Sequence, residues 1–311
     1  MLLYFSKDFK TQVYGIVRNN LRPIVWFFVI SIGAFVLYHI MGFKGVSIPV
    51  APVSIVGVAL AIFLGFRNSS AYDRWWEARK IWGGIVNASR TWAMEVTSFA
   101  DSEQINDELR EERKRFVYRH LAWINALRMH LRRQMDYEVL DVFLTPDERA
   151  KVRTFKNVPA QIVNMQSKKL QFIYRKGYIN DFSRIELNSQ LREFYELQGK
   201  AERIKNTVFP YYYNYFTRLF LQLFLLILPF SLLEQMYWEV IPLSAAISFV
   251  FHILDKSGAI TEEPFENRAS DTPMSTLCKS IEIDLRQILD EEDIPEPHPI
   301  QFTHYNAAFQ D

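Results

Sequence analysis

VSIPVAPVSIVGVALAIFLGFRNSSAYDRWWEARK, residues 46–80, is the stretch that decides the fold. Residues 46–66 contain no Asp, Glu, Lys or Arg, and about 20 apolar residues rising ~1.5 Å each cross the hydrocarbon core of a bilayer. This stretch reads as a transmembrane helix. Two stripes separate on it. Gly57, Ala61 and Gly65 recur every four residues, a small-residue edge that lets helix backbones approach closely. Beside them Val58, Ile62 and Phe66 do the same. This second stripe faces lipid and neighbouring helices, as most apolar residues of a spanning helix do, or it faces a symmetry axis, where its copies would stack as rings and form a hydrophobic constriction. The residues leave both readings open.

Working outward, residues 24–43 form a second uncharged run headed by Arg22 and Pro23, which suits a helix beginning at a proline. Gly42, Lys44, Gly45 and Pro49 supply the turn between the two, making a hairpin. Residues 209–233 and 240–254 are the third and fourth apolar segments, joined by the acidic and aromatic turn EQMYWE, residues 234–239. The third contains Arg218, expected to snorkel to the interface. The fourth is short and needs tilt or burial against its neighbours. Lys7, Lys10, Arg18 and Arg22 precede the first span, and Arg67, Arg74, Arg79 and Lys80 follow the second. The connecting turns hold Lys44, Glu234 and Glu239. The positive-inside rule therefore puts both termini and the middle of the chain in the cytoplasm. Lys7, Asp8, Lys10 and Arg18 also interrupt the N-terminus too often for a signal peptide, so the first span is expected in the mature protein.

The middle is charged and amphipathic. A helical pattern covers residues 103–134, with Ile105, Leu109, Phe116, Leu121, Ile124, Leu127 and Leu131 on its apolar face. Thr145 followed by Pro146 opens another helix, and Pro159 is expected to break the stretch after it. Asp181 or Ser183, the latter with Glu186 as a capping box, starts a helix reaching about Asn206 whose apolar face includes Ile185, Leu191, Phe194, Leu197, Ala201 and Ile204. After Lys256 the pattern predicts a helix over residues 273–289. Pro295, Pro297 and Pro299 then set an extended arm, which has no core of its own and is expected to lie on a neighbouring subunit.

Composition narrows the function. Of 311 residues 15% are aromatic, high for a soluble protein, and the net charge of +1 carries no nucleic-acid signature. A single cysteine, Cys278, excludes an intramolecular disulfide framework and a Cys-rich metal site. His39, His120, His130, His252, His298 and His304 are scattered, none four residues from another, and no phosphate loop, dinucleotide fingerprint, nucleophile elbow or zinc-protease helix is present. No catalytic residue, metal or cofactor is expected. Trp75 and Trp76 directly follow a span and suit interface anchoring better than base stacking. Glu262, Glu263, Glu266 and Asp271 offer calcium-type oxygens, but Pro264 and Arg268 break the run and favour a solvated face.

FLGFRN at residues 63–68 with YDRWWEAR at residues 72–79 resembles the bestrophin family, in particular its bacterial branch. Further matches are ERIKNT at 202–207, LPF at 228–230, EPF at 263–265 and Asp284-Leu285, so the resemblance covers nearly the whole chain. It implies an all-α, pentameric ion channel with four membrane helices per subunit, a cytoplasmic helical layer and one axial pore. It also implies that Val58, Ile62 and Phe66 line the neck of that pore, with Gly57, Ala61 and Gly65 packing beside it. A second constriction, at the cytoplasmic exit of the pore, is carried over to Phe182, which follows Gly177-x-x-x-Asp181. Most of the acidic calcium clasp of the animal branch is missing after Phe265. The expected organisation is 1–66, first hairpin with the neck helix; 67–207, cytoplasmic helices; 208–255, second hairpin; and 256–311, cytoplasmic tail. The expected partners are four further copies of the chain, the lipid of a bacterial inner membrane and permeant monovalent ions, with cations slightly favoured over chloride. A secondary transporter would show internal repeats or broken midplane helices. The two hairpins share no repeat. A non-conducting membrane scaffold remains the third reading.

Overall fold

A computed structural model describes residues 9–98, 107–207, 211–299, 301–302 and 308–309. Lys7, Asp8, Glu103, Ile105, Phe209 and His304 lie outside the described residues, as does the Lys10 side chain.

The organising element is one unbroken helix. α1 (Phe9–Asn19) and α2 (Leu21–Phe35) lead through a π-helical turn (Val36–Ile40) and a 3-10 turn (Lys44–Val46) into α3 (Val50–Ser98), 49 residues long. At ~1.5 Å per residue α3 measures about 74 Å, more than twice the ~30 Å of a bilayer core. It therefore does not stop at the interface near Phe66, and its second half enters the charged middle of the protein. The continuity has a sequence cause. Beyond Pro52, in the first turn, α3 holds no proline. A buried seam through Val53, Leu60, Leu64, Arg67, Ala71, Ala78, Ile81, Trp82, Ile85, Ser89, Trp92 and Val96 also keeps helical spacing along its whole length.

Among the described residues, α2, the first half of α3, α9 (Tyr211–Leu232) and α10 (Val240–Thr261) are the four helices long and apolar enough to cross a membrane. Small polar residues hold α2 to α10: the Ser31 and Ser244 hydroxyls are 2.7 Å apart, beside buried Ala34, Ala245 and Ser248. α3 crosses α10 at Gly258, where a Cβ would lie 2.1 Å from Asn68 Oδ1. The crossing requires a glycine. α10 runs past the expected end at residue 254, because Asp255 is neutralised within the fold by Arg67.

The cytoplasmic layer packs α4 (Asp107–Arg132), α7 (Val158–Arg175), α8 (Asp181–Asn206) and α11 (Met274–Ile288) around the second half of α3, with short α5 (Tyr137–Asp141) and α6 (Pro146–Val152) alongside. Thr145 and Glu148 form a reciprocal capping box for α6. Three local expectations need correction. Pro159 begins rather than breaks a helix: it sits in the first turn of α7, where its missing N–H has no partner to lose, behind Asn157, whose side chain accepts from Ala160 N at 3.1 Å. α8 is capped by Asn180, whose Oδ1 accepts from Ser183 N at 2.8 Å, so Ser183 is the third residue of the helix and not its cap. Ile185 is exposed and Leu187 takes its place in the seam. At the C-terminus, β1 (Gln301–Phe302) pairs antiparallel with β2 (Ala308–Phe309) beyond the proline-rich stretch.

From Phe116 onward α4 is buried on nearly every side, and the polar residues Arg119, His120 and Asn125 are buried with Trp123 and Leu127. His120 lies among Trp92, Trp123 and Phe194, its Nε2 2.8 Å from Ser89 Oγ. Burial pushes its imidazole down to about 3. An unfolded chain binds this proton below about 6.5 and the folded chain does not until about 3, so stability falls as pH drops through that window, by up to about 1.4 kcal/mol per pH unit. His120→Gln is expected to flatten this part of the melting-temperature profile between pH 4 and 7, while lowering stability at pH 7. An unchanged slope would assign the acid sensitivity to other groups.

Candidate conduction pathway

At 100° per residue, Leu60, Leu64, Arg67 and Ala71 fall within about 40° of Val53 on the buried side of α3. Val58, Ile62 and Phe66 fall at about 140°, 180° and 220°, on the opposite side. Their side chains are 62%, 55% and 67% exposed in the single chain. Three large apolar groups thus form a line that the protomer itself does not cover. On the adjacent small-residue edge, a Cβ on Gly57 would meet the Phe224 ring at 3.1 Å, so Gly57 packs against α9 within the chain. Gly65 has no such neighbour within 4 Å, and Ala61 is exposed.

The base of this helix is held by buried charge. Arg67 is 2% exposed, pairs with Asp255 of α10, and places its second guanidinium nitrogen 3.7 Å from Glu262 Oε2. Glu262 also accepts from Asn214 Nδ2 of α9 at 3.1 Å. One arginine thereby ties three membrane helices together at their inner ends. Arg218, exposed, lies about one turn further into α9 than Asn214. Two turns below Arg67, Arg74 donates to the carbonyls of Ile204 and Thr207 (2.7 Å to Thr207), which end α8. A guanidinium on free C-terminal carbonyls satisfies them and complements the helix dipole. Trp75 Nε1 donates to Ser270 O at 2.9 Å, with its ring stacked on Trp76.

α8 returns along α3 in the opposite direction, Leu197 against Gly84 and Gln190 against Glu95. Its N-terminal end, and Phe182 with it, therefore lies at the far end of the cytoplasmic layer. By helix rise, Phe182 is roughly 50 Å from Phe66. Gly177, at φ +77°, makes the left-handed turn that brings the chain into α8. Phe182 is 84% exposed, and exposed Ile185 follows it by three residues on the same side. The four acidic residues considered for calcium are dispersed: Glu262 to Arg67 and Asn214, Glu263 to Arg268 at 3.8 Å, Glu266 to Lys205. Asp271 accepts from the Glu266 and Arg268 amides, 2.8 and 3.1 Å away. Burial raises the Asp271 carboxyl above its ordinary range.

The helix-packing signals Arg67, Arg74 and Asp255 were visible in the sequence only as interfacial charge. Their signal was position, since each stands within eight residues of the end of an apolar run.

The chain compares closely with known proteins. The family described as bacterial/fungal bestrophin protein matches residues 9–287. The voltage-dependent anion channel-forming protein YneE of Salmonella typhi is 35% identical over 269 residues, 86% of each chain. YneE of Escherichia coli K12 is 35% identical over 252 residues, 81% of this chain and 80% of that one. The crystal structure of a bacterial bestrophin homologue from Klebsiella pneumoniae superposes with a TM-score of 0.82 at 26% identity, covering 88% of this chain and 99% of that one. Its relatives are named as ion channels and not as enzymes. A predominantly helical architecture, four apolar helices, the FLGFRN junction and the matched length converge on one assignment: the chain belongs to the bacterial/fungal bestrophin family of integral membrane channel proteins.

Proposed function

We propose that five copies of this chain surround one axial pore and conduct monovalent ions passively across the bacterial inner membrane, with both termini in the cytoplasm. The observation that carries this reading is the Val58, Ile62, Phe66 line: large, apolar, exposed, and turned away from the protomer's own core. Five such lines facing one another form stacked apolar rings, and rings of this kind control conduction by wetting and dewetting. The open edge at Ala61 and Gly65 then receives the neighbouring subunit's helix. In this arrangement residues 1–66 and 208–255 form the membrane hairpins, residues 67–207 extend the pore into the cytoplasm, the tail from residue 256 braces its outside, and Phe182 narrows the exit.

An apolar neck sets the cost of dehydrating an ion but not the sign of the ion. Sign follows from charge near the mouths, and the outer turns carry exposed Glu234 and Glu239 against Lys44. The balance supports a preference for sodium and potassium over chloride. The names of the relatives support the second reading, an anion channel of the same architecture. The deciding experiment is the reversal potential of the reconstituted protein in a planar bilayer under a NaCl gradient. Reversal near the sodium equilibrium potential supports the cation channel, and reversal near that of chloride the anion channel. Absence of current from a pentamer of confirmed mass leaves a membrane scaffold.

A further inference from the structure

The exposed line on α3 does not end at Phe66. Two turns further on, about 10 Å along the axis, it reaches Asp73, at about 200° on the same wheel and therefore between Ile62 and Phe66 in direction. Asp73 is exposed and makes no hydrogen bond or ion pair among the described residues. The two arginines nearest the neck are held elsewhere. Arg67 is buried against Asp255, and Arg74 is held by the α8 carbonyls. The next charges along the line, Glu77 at about 240° and Lys80 at about 180°, lie 3.7 Å apart and neutralise each other. Between the neck and the following three turns, the line therefore carries one uncompensated negative charge per chain.

We propose that Asp73 is a selectivity-determining residue: its copies form an acidic ring just inside the neck that concentrates monovalent cations there and repels chloride. The inference rests on the pore reading above, in which this line faces the axis. A ring of like charges beside a low-dielectric constriction acts on every ion waiting to enter it, because field lines are focused where water is scarce. The same position explains why an unpaired carboxylate tolerates its place in the fold: it faces water in the widened part of the pore, and leaving it unpaired desolvates nothing.

The test uses the full-length protein, Asp73→Asn and Asp73→Arg, each reconstituted in planar bilayers under a NaCl gradient. Asp73→Asn is expected to lower the sodium-to-chloride permeability ratio at least threefold, and Asp73→Arg to move the reversal potential further toward that of chloride. Both effects should shrink when total salt rises from 0.1 to 1 M, since the screening length falls from about 10 to about 3 Å. Unchanged reversal potentials in both variants, with parental currents intact, overturn the assignment. So does loss of the oligomer in Asp73→Asn, which would make the residue a subunit contact. An absence of current in the parent protein refutes the channel reading itself. A parent that reverses near chloride refutes only the cation preference, and the threefold shift then still decides for or against the ring.

Discussion

Ile62→Ala and Phe66→Ala channels are expected to conduct several-fold more than the parent. In the proposed pentamer each substitution removes side-chain carbons from one ring in all five subunits, and each apolar carbon contributes about 0.8 kcal/mol to the preference for a dry neck. The ring widens and wets more readily, so the barrier to a hydrated ion falls. Because Ile62 and Phe66 stand opposite the buried seam, the same substitutions remove no contact from the protomer core. Thermal stability in detergent should change by less than about 1 kcal/mol per subunit, the range of surface substitutions. Leu60→Ala provides the contrast. Leu60 is on the opposite side of the same helix and buried, so its truncation costs about 2–5 kcal/mol without widening the neck. Single-channel conductance separates the two classes. Alanine channels that conduct like the parent would turn the Val58, Ile62, Phe66 line toward lipid or a neighbouring helix.

Arg67→Met is expected to be the most destabilising single change near the membrane. It leaves Asp255 and Glu262, both largely buried, without their cation, and breaking a buried pair from one side costs about 3–5 kcal/mol. Arg67→Lys should recover only part of this loss, since a single ammonium cannot reach two carboxylates as a forked guanidinium does. Replacing both partners, Arg67→Met with Asp255→Leu, should restore more than either single change, because no unpaired charge remains between α3 and α10. Melting temperature and elution profile in detergent are the measurements. A double variant no more stable than Arg67→Met would mean that the pair contributes through geometry rather than charge compensation. Arg67 is the next residue after Phe66, so in the proposed pore loosening its anchor would also loosen the innermost ring of the neck.

The four apolar runs, the capping residues at Thr145, and the stripe at Val58, Ile62 and Phe66 were all determined by the sequence. Each depends on local pattern: the length of an uncharged run, the spacing of side chains around one helix, the hydrogen-bonding reach of a cap. Local pattern misplaced Pro159 and Ser183, because Asn157 and Asn180 were equally good caps and only the path of the neighbouring chain chooses between them. It also placed Ile185 inside the α8 seam when Leu187 lies there. Tertiary structure alone decided three things. It joined the second span and the cytoplasmic layer into one 49-residue helix, because the seam from Val53 to Val96 is covered first by α9 and α10 and then by α8, α4 and α11. It buried Arg67 and freed Asp73, two charges six residues apart that look alike in the sequence, because one faces Asp255 and the other faces away from every helix of its own chain. It also set Phe182 roughly 50 Å from Phe66 by folding α8 back along α3. In each case the outcome depends on which residues distant in the chain come to lie opposite one another, and helical periodicity carries no information about that.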